Sequence, residues 1–291
     1  MSLTLKLPRQ FDRRTMYGVI EGAINAQRQP RAKVINFDLS ALNFIQPDGV
    51  TAFCNLIELL RLEGVHGDLI NYNVRRPAIA YLDECGIFEA YSGGALRSPS
   101  RTTMIPCKAI ATDRSHGWLD LTVFPWLANA LHVETLALAD LKVSVKEAFH
   151  NIEDHSTQKL GCMHTQYFPN LNKISISVSD FGIGIPASIR RRYEVESDHH
   201  AIRLALNEGV SAGTGHNNLG AGLDTLIRNV TGRHRGTVAI HSNYGQLVCV
   251  PAGSWLRRTG RPAPGLYPGT LISIELRTDT IEEQQREDLQ W

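Results

Sequence analysis

The chain has 291 residues, 43% of them hydrophobic and 20% charged, with a formal net charge of +1. That length favours two domains or one large one, and the apolar fraction is enough for sizeable cores. The balanced charge offers no global attraction for nucleic acid or an anionic membrane, and no stretch approaches the roughly 20 apolar residues of a membrane helix.

Residues 3–7 alternate apolar and polar side chains, the pattern of a short strand. Residues 11–27 follow with Met16, Val19, Ile20, Ala23 and Ile24 at helical spacing. Residues 34–39 form a second strand pattern, ended by the turn-prone run Ser40 to Asn43. Phe44-Ile45 is a short apolar step before Pro47-Asp48-Gly49, where Pro and Asp suit the positive first turn of a helix. Val50, Phe53, Cys54, Ile57 and Leu60 then share one helical face over 50–62. A strand over 66–72 and a helix over 77–85 complete an α/β unit spanning 1–95, the size of a small domain.

Residues 92–115, punctuated by Gly93-Gly94, Ser98-Pro99-Ser100 and Pro106, read as a linker, bounded at 96–116. A second unit is expected over 117–280, beginning with a strand at 118–123 and a helix at 126–131. Leu138, Leu141, Val145, Ala148, Phe149 and Ile152 set a long helix over 135–155. In the strand expected over 172–180, Ile174, Ile176 and Val178 alternate with Ser175, Ser177 and Ser179, predicting one buried and one polar face. Residues 189–206 are polar, with Arg190-Arg191-Arg192, and turn helical from 201. A glycine-rich stretch over 209–222 leads into a helix over 221–230, and strands are expected over 237–242, 246–250 and 270–276. The tail, 281–291, is acidic and reads as a solvated helix or disordered chain. Five cysteines, odd in number and without a Cys-x-x-Cys pair, argue for reduced thiols in a cytoplasmic protein rather than a disulfide framework.

Three stretches carry candidate chemistry. Glu147, Asn151 and His155 are spaced four apart, so on a helix they project within about 80° of one another. A carboxylate there can orient or deprotonate water or a hydroxyl, and an amide oxygen suits Mg²⁺; a solvated polar face explains the same spacing. Asp180-Phe-Gly182-Ile-Gly184-Ile185 ends a buried strand with a carboxylate that needs a partner. It can accept a hydrogen bond from the exocyclic amine of adenine, while the glycines let backbone approach a flat base. A plain turn favours the same residue types. Finally, the run from Ser211 through Gly213, Thr214, Gly215, Gly220, Gly222 and Leu223 places small residues before a helix N-terminus, a ready anion site. No Gly-x-x-x-x-Gly-Lys-Ser/Thr loop is present, and the Gly209-Val-Ser211-Ala-Gly213 run follows a helical stretch rather than the strand that a hydrolase nucleophile elbow needs. His199, His200 and His216 lack Cys or Glu at matching metal spacing.

In this order, with Gly269-Thr270 opening a later strand, the motifs over 131–276 resemble the GHKL ATPase superfamily of gyrase, heat-shock chaperone, histidine kinase and mismatch-repair ATPases. The resemblance implies a two-layer α/β sandwich holding ATP and Mg²⁺ between a helical layer and a lid. Carried over by position, Glu147 would be the general base and Asn151 the Mg²⁺ ligand. Asp180 would bind adenine beside Gly182, Gly184 and Ile185, supported by Thr270. Gly213, Thr214, Gly215, Gly220, Gly222 and Leu223 would close over the phosphates. Asp154 and His155 fit the Asn-x-x-Asp-His form of kinase-like members.

The run from Val34 to Val50, with Leu82 to Phe88, resembles the STAS domain of anti-sigma-factor antagonists. In that family the residue before the glycine is typically a phosphorylated Ser or Thr. Here it is Asp48, whose carboxylate carries less charge than the −1.5 to −2 of a phosphate. Asp48 is thus the candidate regulatory residue, and equally a residue suited to a helix start. Two functions are expected from the combination. One is an ATP-Mg²⁺-binding bacterial regulator whose nucleotide site controls docking of the STAS-like domain or of a protein partner, with slow hydrolysis. The other is an anti-sigma-factor-type serine/threonine kinase acting on a STAS partner. A histidine autokinase is disfavoured, because a proline- and glycine-punctuated stretch stands where its dimerisation helix belongs. ATP-driven dimerisation is known across the superfamily, so a homodimer is among the expectations.

Overall fold

The computed structural model describes residues 2–73, 76–94, 96, 101–155, 159–207, 222–253 and 255–281, without the side chains of 151–155. The chain is mixed α/β. Its N-terminal part runs β1 (Ser2–Lys6), β2 (Gln10–Phe11), α1 (Tyr17–Ala23), β3 (Val34–Asp38), β4 (Phe44–Ile45), α2 (Pro47–Leu62), β5 (His66–Ile70), α3 (Pro77–Glu84) and α4 (Ile87–Tyr91). β1, β3 and β5 form a parallel sheet in the order β1-β3-β5, and β2 pairs with β4. α2 begins with Pro47 in its first turn, keeps Asp48 at the positive end and Arg61 in the last turn, and buries nearly its whole length.

The remainder runs β6 (Met104–Ala111), α5 (Thr112–Trp118), a π-helical turn over 119–123, α6 (Phe124–Leu131) and α7 (Ala139–His155). Then come β7 (Leu160–Phe168), β8 (Lys173–Asp180), α8 (Gly184–Ile189), α9 (Asp198–Leu204), α10 (Gly222–Ile227), β9 (Thr237–Ala252) and β10 (Trp255–Arg277). The five strands form one antiparallel sheet in the order β6-β7-β8-β10-β9. Among the described residues no helix is long and apolar enough to cross a membrane.

Three expectations are corrected. The stretch read as a linker holds β6, an edge strand of the larger sheet, and the start of α5. Pro106 sits where the register slips between Ile105 and Lys108, a place where an edge strand tolerates a residue with no N–H. Residues 118–123 are helical, because Leu119 and Val123, four apart, are buried together on one helical face. β9 and β10 form a far longer hairpin than the short strands expected over 237–242, 246–250 and 270–276.

β8 is also buried on both faces. Ile174, Ile176 and Val178 join the core under α7, with Val145, Phe149 and Leu226. Ser175, Ser177 and Ser179 face the other way and are equally buried, since α2 packs across β7 and β8. Cys162, Tyr267 and Leu271 of the larger sheet, with Phe181 just past β8, share one hydrophobic core with Phe11, Phe37 and Phe53 of the N-terminal part. Small serine side chains let α2 come close, and the Ser179 hydroxyl hydrogen-bonds the Tyr267 hydroxyl inside this layer.

Candidate functional site

Asp180 ends β8 directly opposite Thr270 of β10 and is 4% exposed. The backbone N–H groups of Gly182 and Thr270 donate to its carboxylate. Burial pushes its pKa up to about 7, against the opposing pull of those two amides and of Arg28. The turn that follows is shaped by glycines with no room for a side chain. Gly184 has φ +80°, and a Cβ there would lie 2.8 Å from Ser242 Oγ and 2.9 Å from Gly269 O. Gly269, at φ +123°, would drive a Cβ to 2.6 Å from the Phe181 Cα. Both positions demand glycine on conformation and on space.

Ser242 of β9 knits this corner together. Its hydroxyl donates to Gly269 O at 2.6 Å, accepts from the Ile185 N–H at 3.0 Å, and lies 3.1 Å from Thr270 Oγ1. The expected residues Asp180, Gly182, Gly184, Ile185 and Thr270 therefore come together in one corner. Ser242 and Arg28 were not foreseen. Ser242 had a weak signal, as a polar residue closing an apolar strand run; Arg28 had none, because it arrives from 153 residues away to donate to Phe181 O at 3.2 Å.

Glu147 lies on α7, which packs against α10, β8 and α8. A Cβ built on Gly222 would fall inside the Glu147 carboxylate, so these two expected residues meet face to face. His150 Nδ1 stands 3.7 Å from the same carboxylate, one helical turn on. Leu223 is a core residue beneath α7, packed rather than open to a ligand. Asn151, Asp154 and His155 lie on the last turn of α7, with side chains outside the description. Gly213, Thr214, Gly215 and Gly220 lie outside the described residues. Among the described residues no group of three or more His, Cys, Asp or Glu side chains is arranged to hold a metal ion.

Asp48, the candidate regulatory residue or helix-start residue of the sequence, stands in the first turn of α2. It is 2% exposed, paired with Arg13 Nη1 at 2.9 Å and bonded by the Gly49 N–H at 2.7 Å. Burial raises its pKa, with the Arg13 guanidinium opposing the rise. Gly49 has a packing reason of its own: a Cβ there would lie 2.5 Å from Phe11 O.

No protein-family model matches the chain. No curated protein matches it either. Among solved structures it is similar to the topoisomerase IV ATP-binding domain of Francisella tularensis, solved with a small-molecule inhibitor, at 11% identity and a TM-score of 0.25. The match covers 60% of this chain and 42% of that one. A similarity that slight carries neither fold nor function.

Proposed function

We propose that this chain is an ATP-Mg²⁺-binding regulatory protein in which the nucleotide site and the N-terminal STAS-like part control one another. The observation that carries the reading is the Asp180 corner. It combines a buried carboxylate at a strand end, two glycines that tolerate no side chain, and a serine bracing both. In this reading Asp180 accepts the adenine amine, Gly182 and Gly184 stand beside the base, and the backbone N–H groups of Gly182 and Thr270 hold the carboxylate in place. Glu147 activates water against the bound phosphates, while Asn151 holds Mg²⁺ and the stretch from Gly213 to Gly222 closes over the nucleotide.

Support for mutual control comes from three contacts made by the α1 region. Tyr17 OH hydrogen-bonds His241 Nδ1, Glu21 Oε1 accepts the Leu266 N–H at 2.8 Å, and Arg28 reaches Phe181 O. These contacts bracket the rung where Asp180 meets Thr270. Phosphorylation of the chain's own STAS-like part is disfavoured, because the phosphoacceptor position holds Asp48, which has no hydroxyl and is buried against Arg13; the kinase alternative is one acting on a separate STAS partner. Incubation with labelled ATP-Mg²⁺ followed by mass spectrometry separates the two. Free ADP with an unmodified chain, lost in Glu147→Ala, is the expected result; phosphate on the chain or on an added STAS protein would favour the kinase.

A further inference from the structure

Where the turn ahead of α1 meets the β9–β10 hairpin, a pocket of about 330 Å³ is lined by Arg13, Arg14, Gln246, Arg261 and the run from Pro262 to Pro264. The lining holds three guanidinium groups and no carboxylate. Like charges gathered this way repel one another, and an anion placed between them removes that cost. Elsewhere in the chain Arg101, Arg190 and Arg258 each have an acidic partner. Among the described residues no carboxylate pairs with Arg14 or Arg261, and both side chains are exposed, so a ligand can reach them. The acids nearby are already occupied. Asp12 accepts from the backbone N–H groups of Arg14 and Thr15 and from the Gln10 amide. Asp48 holds Arg13 through Nη1 alone, which leaves the Nε and Nη2 donors of that partly exposed side chain without a partner among the described residues.

The backbone around these side chains is firmly held. The bonds to Asp12 fix the turn that carries Arg13 and Arg14. Arg261 stands opposite Gln246 in the β9–β10 ladder, and Gln246 Nε2 donates to Pro262 O at 2.9 Å. Pro262 and Pro264 restrict their own φ angles. Gly265 then packs so closely on α1 that a Cβ there would lie 2.9 Å from the Tyr17 Cβ. The two parts of the chain also converge electrostatically. Burial first, and then the charges of Arg13 and Arg261, push the pKa of His241 down to about 3, so both guanidinium groups lie near one ring.

We propose that this pocket binds a small phosphate monoester, its dianion held by Arg13, Arg14 and Arg261. A guanidinium offers phosphate two parallel N–H donors. Three such forks match three terminal oxygens sharing two negative charges better than they match a single carboxylate. The pocket lies within the usual size of small-molecule sites, about 300–1,000 Å³, which leaves room for the group that carries the phosphate. Arg13 then bridges the anion and Asp48, so the ligand links the first turn of α2 to the hairpin. It does so whether or not the Asp180 corner binds a nucleotide.

Glycerol 3-phosphate and glycerol share a carbon skeleton, but only the first carries the dianion. The test titrates each into the full chain by calorimetry at low ionic strength, where charge pairing is least screened. The expected result is saturable binding of glycerol 3-phosphate and none of glycerol. Arg14→Gln and Arg261→Gln, both at exposed positions, should each weaken that binding about fivefold or more. Arg257→Gln removes an equal charge from an exposed site on the same hairpin, outside the pocket, and should leave the affinity within about twofold. Circular dichroism checks that the variants fold. No saturation by glycerol 3-phosphate would overturn the proposal. So would an equal loss in Arg257→Gln and Arg261→Gln, which would reveal a diffuse attraction to a basic surface instead of a site.

Discussion

At Asp180 the structure offers a carboxylate whose protonation is balanced near neutrality. Its folded pKa, about 7, lies above the ordinary value of 3.8 because burial disfavours the charged form. The cost to the folded state is therefore absent at low pH, grows as pH rises from about 4, and is complete above about 7. The ionised carboxylate accepts the adenine amine more strongly than the neutral acid does, so affinity for adenine nucleotide should rise as pH rises through about 7. Calorimetric titrations between pH 6 and 8 check this; a flat profile would count against the role given to Asp180. Arg28→Ala removes the cation that favours the ionised form, so the midpoint of that profile should move to higher pH. Gly184→Ala, forced into φ +80° against Ser242, should lower stability by about 1–3 kcal/mol in urea unfolding. The corner was largely legible in the sequence, because aspartate and glycine punctuate the strand end in Asp180-Phe-Gly182-Ile-Gly184. Arg28 and Ser242 were not, since their roles depend on contacts between residues far apart along the chain.

Among the elements, those with a single amphipathic pattern were the readable ones. α2, α7 and β8 each carry the expected periodicity, and each stands where the sequence puts it. β7 escaped notice because both of its faces are buried, so His164, Thr165 and Gln166 interrupt any alternation of apolar and polar residues. β6 escaped because Pro106 reads as punctuation, although it sits in the sheet's edge strand. The meeting of α7 and α10 at Glu147 and Gly222 could not be read from spacing, since 75 residues separate them. It yields its own expectation. Gly222→Ala should push the Glu147 carboxylate aside and reduce ATP turnover by about tenfold or more, while ATP binding changes little, as initial-rate and binding measurements together would reveal. Equal loss of binding and turnover would place Gly222 elsewhere in the mechanism.

For the whole molecule, the decisive feature is that the polar face of β8 is not solvated. α2 covers it, and one hydrophobic core runs from Phe11, Phe37 and Phe53 through to Phe181 and Tyr267. The alternation of isoleucine and serine correctly marked two different faces, but nothing local says that a serine face is covered by another part of the same chain. With a shared core, the two parts should unfold together in one urea transition. Phe53→Ala, which empties a site packed edge-on to Phe11 and Phe37, should move that single transition down by about 3–5 kcal/mol. Two separate transitions in the wild-type chain would show that the parts are independent. The central claim, that the Asp180 corner reads adenine, is tested most directly by calorimetric titration of ATP-Mg²⁺ into the wild-type chain and into Asp180→Asn. The account predicts saturable binding to the wild type and at least a tenfold loss in the variant, on the order of 1.4 kcal/mol. Wild-type affinity retained in Asp180→Asn, or no binding to either protein, would contradict it.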